Sequence, residues 1–492
     1  MHVHIKAWCA VMARKIATAT LIALLALIIR CAVTLTWFNQ RERIFAPDSY
    51  GYERLAINLI EHGAFSQSAI PPLVPDTHRT PLYPLFILAV YRAVGEYPTA
   101  VVISQDIIDT ISTILIYAIA SSASTHAAGV LASIAYAIAP LPIFQCQRML
   151  SETLFVFLTL AAVLAGLKAL ARFRTGAIAA CGLLLGLATL TRPIGIGIWL
   201  IWLVALAVAA RRLAFSTWLQ AMGKFALSFL LPIAPWLIRN FIAFKMLFLC
   251  TGHHLAFAYY NAAAVLSRAK GISLEQAQVQ LFNQSINDFK GMRPFKAERA
   301  NDIWQPAVQD PRNVAALVRH ARDVIKRYPI EAISVHTEGF AQYMFMTLPI
   351  RDVLAKFAGS EEHSKPIRER MMKLLRDGKV GAAISTAWNE RLHQLPLVAK
   401  LLWLYSLLFA LLVEGVALSS VKVCIRRGNA VRTVCLLCMS MALYLLLSPG
   451  PQLEPRFRAI AEPWLIILAS IGISNIAEGK RKGAMQQSAI SR

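Results

Sequence analysis

Apolar runs long enough to cross a bilayer recur along this chain, at about 16–38, 99–121, 127–144, 152–171, 176–191, 193–210, 222–243, 397–421, 431–448 and 461–477. Lipid offers the backbone no hydrogen-bond partner, so runs approaching twenty apolar residues read as helices. The pattern predicts an all-α polytopic membrane protein with about ten transmembrane helices. Its weakest point is 176–210, where Thr191-Arg-Pro193 separates two short spans. Arg14 and Lys15 precede the first run, which is too long for a signal-peptide core and lacks a cleavage pattern. It reads as the first membrane helix.

The connectors orient the spans. With the N-terminus inside, the pairs Arg172/Arg174 and Arg211/Arg212 fall on one inner face. So do the clusters Arg426/Arg427/Arg432 and Lys480/Arg481/Lys482, in keeping with the positive-inside tendency. Both termini are then expected on the cytoplasmic side. Two polar segments lie outside, at about 39–98 and 244–396. In the first, Thr80 to Val94 is apolar but short and proline-rich, which suits a helix lying at the interface. The second is long enough for a small, mainly helical outer domain. Within it, Ile330 to Ile350 carries Glu331, His336, Glu338 and Gln342, and reads as an amphipathic helix resting on the membrane. The expected organisation is a transmembrane catalytic module over 1–243, an outer domain or lid over 244–396, and three further spans with a tail over 397–492. No internal repeat or low-complexity tract is present.

Composition agrees with the pattern. Of 492 residues, 57% are hydrophobic and 16% charged, with mean hydropathy +0.54; soluble domains carry about 25% charge. The formal net charge of +23 sits largely beside apolar runs, where Lys and Arg meet anionic headgroups. No nucleic-acid recognition motif accompanies it. The eight cysteines are scattered, and Cys435-Leu-Leu-Cys438, though spaced like a metal or redox pair, lies in an apolar helix without a second pair. Packing is the role expected of it.

The chemistry concentrates in the first outer segment. Asp48, in Pro47-Asp-Ser-Tyr50, stands ten residues past the first span. It reads either as a catalytic base or as a helix N-cap followed by Glu53. Arg79, in Thr77-His-Arg-Thr-Pro81, offers a fork of donors to a phosphate, or meets ordinary headgroups. Pro81 and Pro84 fix the presentation of Arg79 and Tyr83. Glu152 opens the fourth span after Ser151 and either orients an acceptor, binds a divalent metal with Asp48, or is the favourable acid of a capped first turn. Arg30, inside the first span, either snorkels outward or faces the interior. Arg192, Arg239, Arg456 and Arg458 lie at or near outer span ends, against the positive-inside bias, which calls for an anionic partner such as a donor phosphate. Tyr50, His78, Arg148 and Asn240 stand in the same blocks as further candidates.

Six blocks occur in order: Asp48-Ser-Tyr-Gly-Tyr52 with Ala56-Ile-Asn-Leu59, Arg79-Thr-Pro-Leu-Tyr-Pro84, Leu150-Ser-Glu-Thr-Leu154, Gly182-Leu-Leu-Leu-Gly186 leading to Leu190-Thr-Arg-Pro193, Pro235-Trp-Leu-Ile-Arg-Asn240, and Glu454-Pro-Arg-Phe-Arg458 running to Pro463. Together they resemble the GT-C superfamily of integral-membrane glycosyltransferases, in the bacterial branch related to protein O-mannosyltransferases and the lipid A aminoarabinose transferase. The resemblance covers about 14–262 and 397–478. It implies that Asp48 is the base, that Arg79 grips the lipid phosphate, that Glu152 is the acid of the second outer loop, and that Arg456 takes the place of the arginine before the last span. Two departures stand out. Ser49 follows Asp48 where many relatives carry a second acid, which weakens the case for a divalent metal there. The last block reaches its proline late, leaving the roles of Arg456 and Arg458 open.

The expectation is an inverting glycosyltransferase of a bacterial inner membrane, with a periplasmic active site. It would use a polyprenyl-phosphate sugar and a lipid, glycan or protein acceptor. A polymerase or ligase of O-antigen type is the nearest alternative, though that class places its key residues in later loops. A flippase or transporter commonly shows internal repeats, and none is evident here.

Overall fold

The computed structural model describes residues 2–38, 40–211, 213–291, 298, 310–345, 379–387, 397–426, 428–452 and 454–490. Arg427 of the basic cluster, residues 346–350 of the expected amphipathic helix and most of the second half of the outer segment lie outside the described residues. Among the described residues every regular element is helical.

The apolar runs become α1 (His2–Trp37), α5 (Pro98–Ala123), α6 (His126–Ile138), α7 (Pro140–Cys146), α8 (Glu152–Arg172), α9 (Thr175–Thr191), α10 (Gly195–Ala210) and α11 (Phe215–Phe244). The first outer segment supplies α2 (Arg41–Ile44), α3 (Pro47–His62) and α4 (Leu82–Val94). A second unit holds α12 (Gly252–Ala256), a π-helical turn Phe257–Ala262, α13 (Ala263–Lys270), α14 (Leu274–Ser285), α15 (Pro311–Arg327) and α16 (Pro329–Phe345), and α17 (Val380–Ala387) follows in the chain. The C-terminal part contributes α18 (Leu397–Arg426), α19 (Asn429–Leu447), α20 (Pro455–Ala459) and α21 (Glu462–Ile490).

Among the described residues, five helices are long and apolar enough to cross a membrane: Met12–Trp37 within α1, then α5, α8, α11 and Leu397–Val421 within α18. The predicted span 127–144 is instead the pair α6 and α7, bent by 56°. Pro140 starts α7 at the break, where it cannot supply the donor that would continue α6. Leu82–Val94, α9, α10 and Val431–Leu447 are apolar but shorter. The predicted last span is the first half of α21, where Trp464, Ile466, Ile467 and Ile471 are fully enclosed. The chain is an all-α polytopic membrane protein.

Glycine sets the closest packing. A Cβ on Gly182 or Gly186 of α9 would strike the backbone carbonyl of Phe225 or Phe229 on α11. Small residues one turn apart let two apolar helices approach this closely. Gly166 on α8 likewise gives room to the Trp202 ring of α10.

The second unit has its own core, built from Leu255, Ala262, Leu266, Leu281, Phe282, Leu317 and Val335. Helix α16 does not simply rest on a membrane surface. Its Gly339 abuts the Gly450 carbonyl, and its Tyr343 is fully buried beside the last spans.

Candidate functional site

The start of α3 bears on the helix-cap reading of Asp48. The N-cap is Ala46, and Ser49 reaches back so that its Oγ accepts from the Ala46 N–H at 2.9 Å. Asp48 therefore sits in the first turn, at the positive end of the helix, with its carboxylate free for other partners. It does not cap.

Those partners are two arginines. Arg79 Nη2 donates to Asp48 Oδ1 at 2.6 Å, and Arg456 Nη1 donates to Oδ2. Burial opposes ionisation of Asp48, but the two guanidiniums outweigh it and hold the carboxyl well below the usual carboxylate range. The far side of Arg456 faces Glu152, with its Nε 4.0 Å from Oε1. Arg192 Nη1 approaches the same oxygen at 2.6 Å and also donates to Ser151 Oγ at 3.0 Å. The result is a continuous ladder: Arg79, Asp48, Arg456, Glu152, Arg192.

Three guanidiniums and two carboxylates make it up, so the ladder carries one positive charge in excess. Glu152 is almost wholly buried, with 1% of its side chain exposed, while the other four side chains are between 16% and 27% exposed. The Nε–H of Arg79 and of Arg456 are buried without a hydrogen-bond partner. Both carboxylate oxygens of Glu152 are likewise buried without a hydrogen-bond partner, so the ladder holds unsatisfied donors and acceptors side by side, where buried polar groups are nearly always satisfied.

The local chain explains the placement. Asp76 Oδ2 accepts from the Arg79 N–H at 2.9 Å, while Gln67 Nε2 donates to Oδ1 at 2.7 Å. Thr80 Oγ1 donates to the Thr191 carbonyl at 3.0 Å, tying the Arg79 loop to the end of α9 just before Arg192. The Arg79 guanidinium also lies 4.7 Å from the Tyr52 ring centroid.

The remaining candidates have other places. Tyr83 is fully buried and donates to Gln105 Oε1 at 2.7 Å, so its hydroxyl supports α5 rather than the ladder. Arg239 Nη1 donates to the Asp76 carbonyl at 2.9 Å, packs on Trp236 and bonds Asn240, whose Nδ2 donates to the Phe248 carbonyl at 2.7 Å. This pair braces the Arg79 loop from behind. Burial, reinforced by Arg79, lowers His78 to about 3, and its carbonyl accepts from Gly252. Tyr50 is exposed against Phe45, and Arg148 is half-buried, its carbonyl accepting from Gln105.

Two arginines are corrections to the sequence reading. Arg30 does not snorkel; it is fully buried within the spans, donating to Asp109 at 2.6 Å, and Tyr136 donates to the other oxygen of that carboxylate. The signal in sequence is Asp106-Ile-Ile-Asp109 in the second span, two acids on one helix face. Arg458, fully enclosed, pairs with Glu414 and Glu462, away from the ladder.

Asp48 and Glu152 do not form a chelating pair, because Arg456 stands between them. Among the described residues no group of three or more His, Cys, Asp or Glu side chains could hold a metal ion. Cys438 is a free, buried thiol, as packing requires, whereas Cys435 is disulfide-bonded to another partner, so the two do not form a pair.

Residues 78–236 match the family of dolichyl-phosphate-mannose-protein mannosyltransferases. The stretch holds the blocks around Arg79, Glu152 and Arg192, and over it the match bears out the resemblance to the GT-C superfamily. No curated protein matches the chain. Among solved structures, the oligosaccharyltransferase of Archaeoglobus fulgidus in its apo form is similar at 12% identity and TM-score 0.44, over 97% of this chain and 52% of that one. ArnT from Cupriavidus metallidurans bound to undecaprenyl phosphate is similar at 13% identity and TM-score 0.37, over 95% of this chain and 78% of that one. The chain spans about half the length of the archaeal protein.

Proposed function

We propose that this chain is an inverting membrane glycosyltransferase that takes a sugar from a polyprenyl-phosphate donor and passes it to an acceptor of the cell envelope. The observation that carries the reading is the ladder, with one positive charge in excess and two buried guanidinium donors unsatisfied. A polyprenyl phosphate linked to a sugar is a phosphodiester monoanion. It matches the surplus charge, and its oxygens are acceptors for planar N–H forks.

The mechanism follows from the competition for those forks. Without donor, Asp48 is neutralised by Arg79 and Arg456 and is a weak base. A phosphate drawing on the same guanidiniums weakens their hold on Asp48 and raises its basicity as the donor arrives. Asp48 then takes the proton of the acceptor hydroxyl or amine as that group attacks the anomeric carbon. The C–O bond to phosphate breaks, the phosphate leaves as an anion held by arginine, and no strong acid is needed. Attack opposite the leaving phosphate inverts the anomeric centre. Glu152 holds Arg192 and Arg456 in place and orients the acceptor.

In this reading the site faces the extracytoplasmic side, both termini are cytoplasmic, and residues 244–396 form a platform or lid for the acceptor. The family match at 78–236 supports a lipid-phosphate donor, since the matching stretch includes Arg79 and Arg192. The test is direct binding of undecaprenyl phosphate and of undecaprenol to the purified full chain in nanodiscs. Preference for the phosphate, lost in Arg79→Ala and Arg456→Ala, is the expected result. Equal binding of the two lipids would overturn the reading.

A further inference from the structure

Arg456 and Arg458 stand two residues apart on the five-residue helix α20, yet they serve different neighbourhoods. Arg456 turns to Asp48. Arg458 turns into a closed interior, where Nε donates to Glu462 at 3.0 Å and Nη1 to Glu414 at 2.5 Å. The same Nη1 donates to the backbone carbonyls of Tyr343 at 2.9 Å and Met344 at 2.5 Å. One guanidinium thus joins α18, α21 and the last turn of α16 to the short helix that bears Arg456.

A second contact grips the same stretch of chain from upstream. Gly450 has φ +59, and the space beside it is bounded by Asn261 of the π-helical turn and by His336 of α16. A Cβ on Gly339 of α16 would meet the Gly450 carbonyl. Gly450 and Arg458 are therefore both held by α16, and Arg456 lies between them in the chain.

We propose that Arg458 is a positioning residue that sets α20 so that Arg456 reaches Asp48, and so couples α16 of the outer unit to the phosphate grip. The coupling to phosphate rests on the proposed function; the effect on the Arg456–Asp48 contact does not. Buried ion clusters often contribute little net stability, so a purely structural role is the rival to be separated. A structural role lowers stability without acting through Arg456.

Two measurements on the full-length protein in nanodiscs separate these. The first is the yield of a short bismaleimide crosslink in an Asp48→Cys/Arg456→Cys protein, read by peptide mass spectrometry, with and without Arg458→Gln. Arg458→Gln is expected to lower the yield severalfold; an unchanged yield overturns the proposal. The second is affinity for undecaprenyl phosphate in Arg458→Gln, Arg456→Gln and the double variant. Arg458→Gln alone is expected to weaken binding about tenfold, and to add less than about twofold when Arg456 is already replaced. Equal losses in both backgrounds overturn it. Should Arg458→Gln not fold, Gly339→Ala places a methyl against the Gly450 carbonyl and is expected to give the same crosslinking and coupling pattern. If undecaprenyl phosphate and undecaprenol bind alike, the phosphate reading falls, while the crosslink still decides the role of Arg458.

Discussion

Arg456 donates to the carboxylate of Asp48 across 408 positions of sequence, so the last span closes a site begun just after the first. The second oxygen of that carboxylate belongs to Arg79. Asp48 is thus clamped from both sides, and the fold must bring both ends of the membrane core together before the site exists.

The clamp fixes the pH behaviour. The native pKa of Asp48 is depressed, so its stabilising contribution is present above the unfolded carboxylate value and is lost only as pH falls below it through the native value. His78, lowered to about 3, stays neutral over the working range. The pH profile of kcat/KM, which reports the free enzyme, is therefore expected to show no loss from either group between about pH 5 and 7. An acid limb near 6 that disappears in Asp48→Asn or His78→Gln would contradict this.

Glu152→Gln removes one of the two carboxylates of the ladder and keeps its shape. The positive excess rises from one to two, so affinity for undecaprenyl phosphate is expected to hold or tighten. Thermal stability is expected to drop, by about 3 kcal/mol or more, because a mostly buried Arg192 loses its partner. Calorimetry and lipid binding on the same sample check both. Binding weakened by roughly tenfold, about 1.4 kcal/mol, would contradict the charge count.

Arg30 and Asp109 are expected to behave in the opposite way. Asp109→Ala leaves Arg30 buried and uncompensated, at a cost of about 3–5 kcal/mol in stability. The pair makes no contact with the ladder, so protein that remains folded is expected to bind undecaprenyl phosphate like the wild type. A selective loss of lipid binding at unchanged melting temperature would place the pair in the site.

Gly186→Val tests the scaffold. The new side chain meets the Phe229 carbonyl and Pro232 of α11, both part of a packed helix pair. Overpacking of this kind costs about 1–3 kcal/mol. It is expected to lower the melting temperature of the detergent-solubilised protein, and an unchanged melting temperature would mean α9 and α11 do not pack so closely.

The helices were legible in sequence because the bilayer leaves apolar runs few alternatives, and each expected span corresponds to a helix or to the bent α6–α7 pair. The bend itself was signalled by Pro140, which the hydropathy pattern passed over. Asp48, Arg79, Glu152, Arg192 and Arg456 all stand out in sequence as polar residues at outer span ends, and the fold places them in one ladder. What one-dimensional pattern could not supply was pairing. Tyr83 and Arg458 carry the right chemistry at the right end of the chain, but tertiary contacts commit one to Gln105 and the other to Glu414 and Glu462. Arg30 found Asp109 on another helix, a partner seventy-nine positions away that local sequence does not reveal.

In the proposed mechanism Asp48 is the base and the arginines beside it hold the donor phosphate. The measurement is mass spectrometry of envelope glycolipids and glycoproteins from cells lacking this protein, complemented with wild type or with Asp48→Asn. It is paired with undecaprenyl-phosphate binding by both purified proteins. Wild type is expected to restore one sugar-sized mass, and Asp48→Asn to bind the lipid at least as well while restoring none of it. Full restoration by Asp48→Asn would make the aspartate a clamp for two arginines and nothing more.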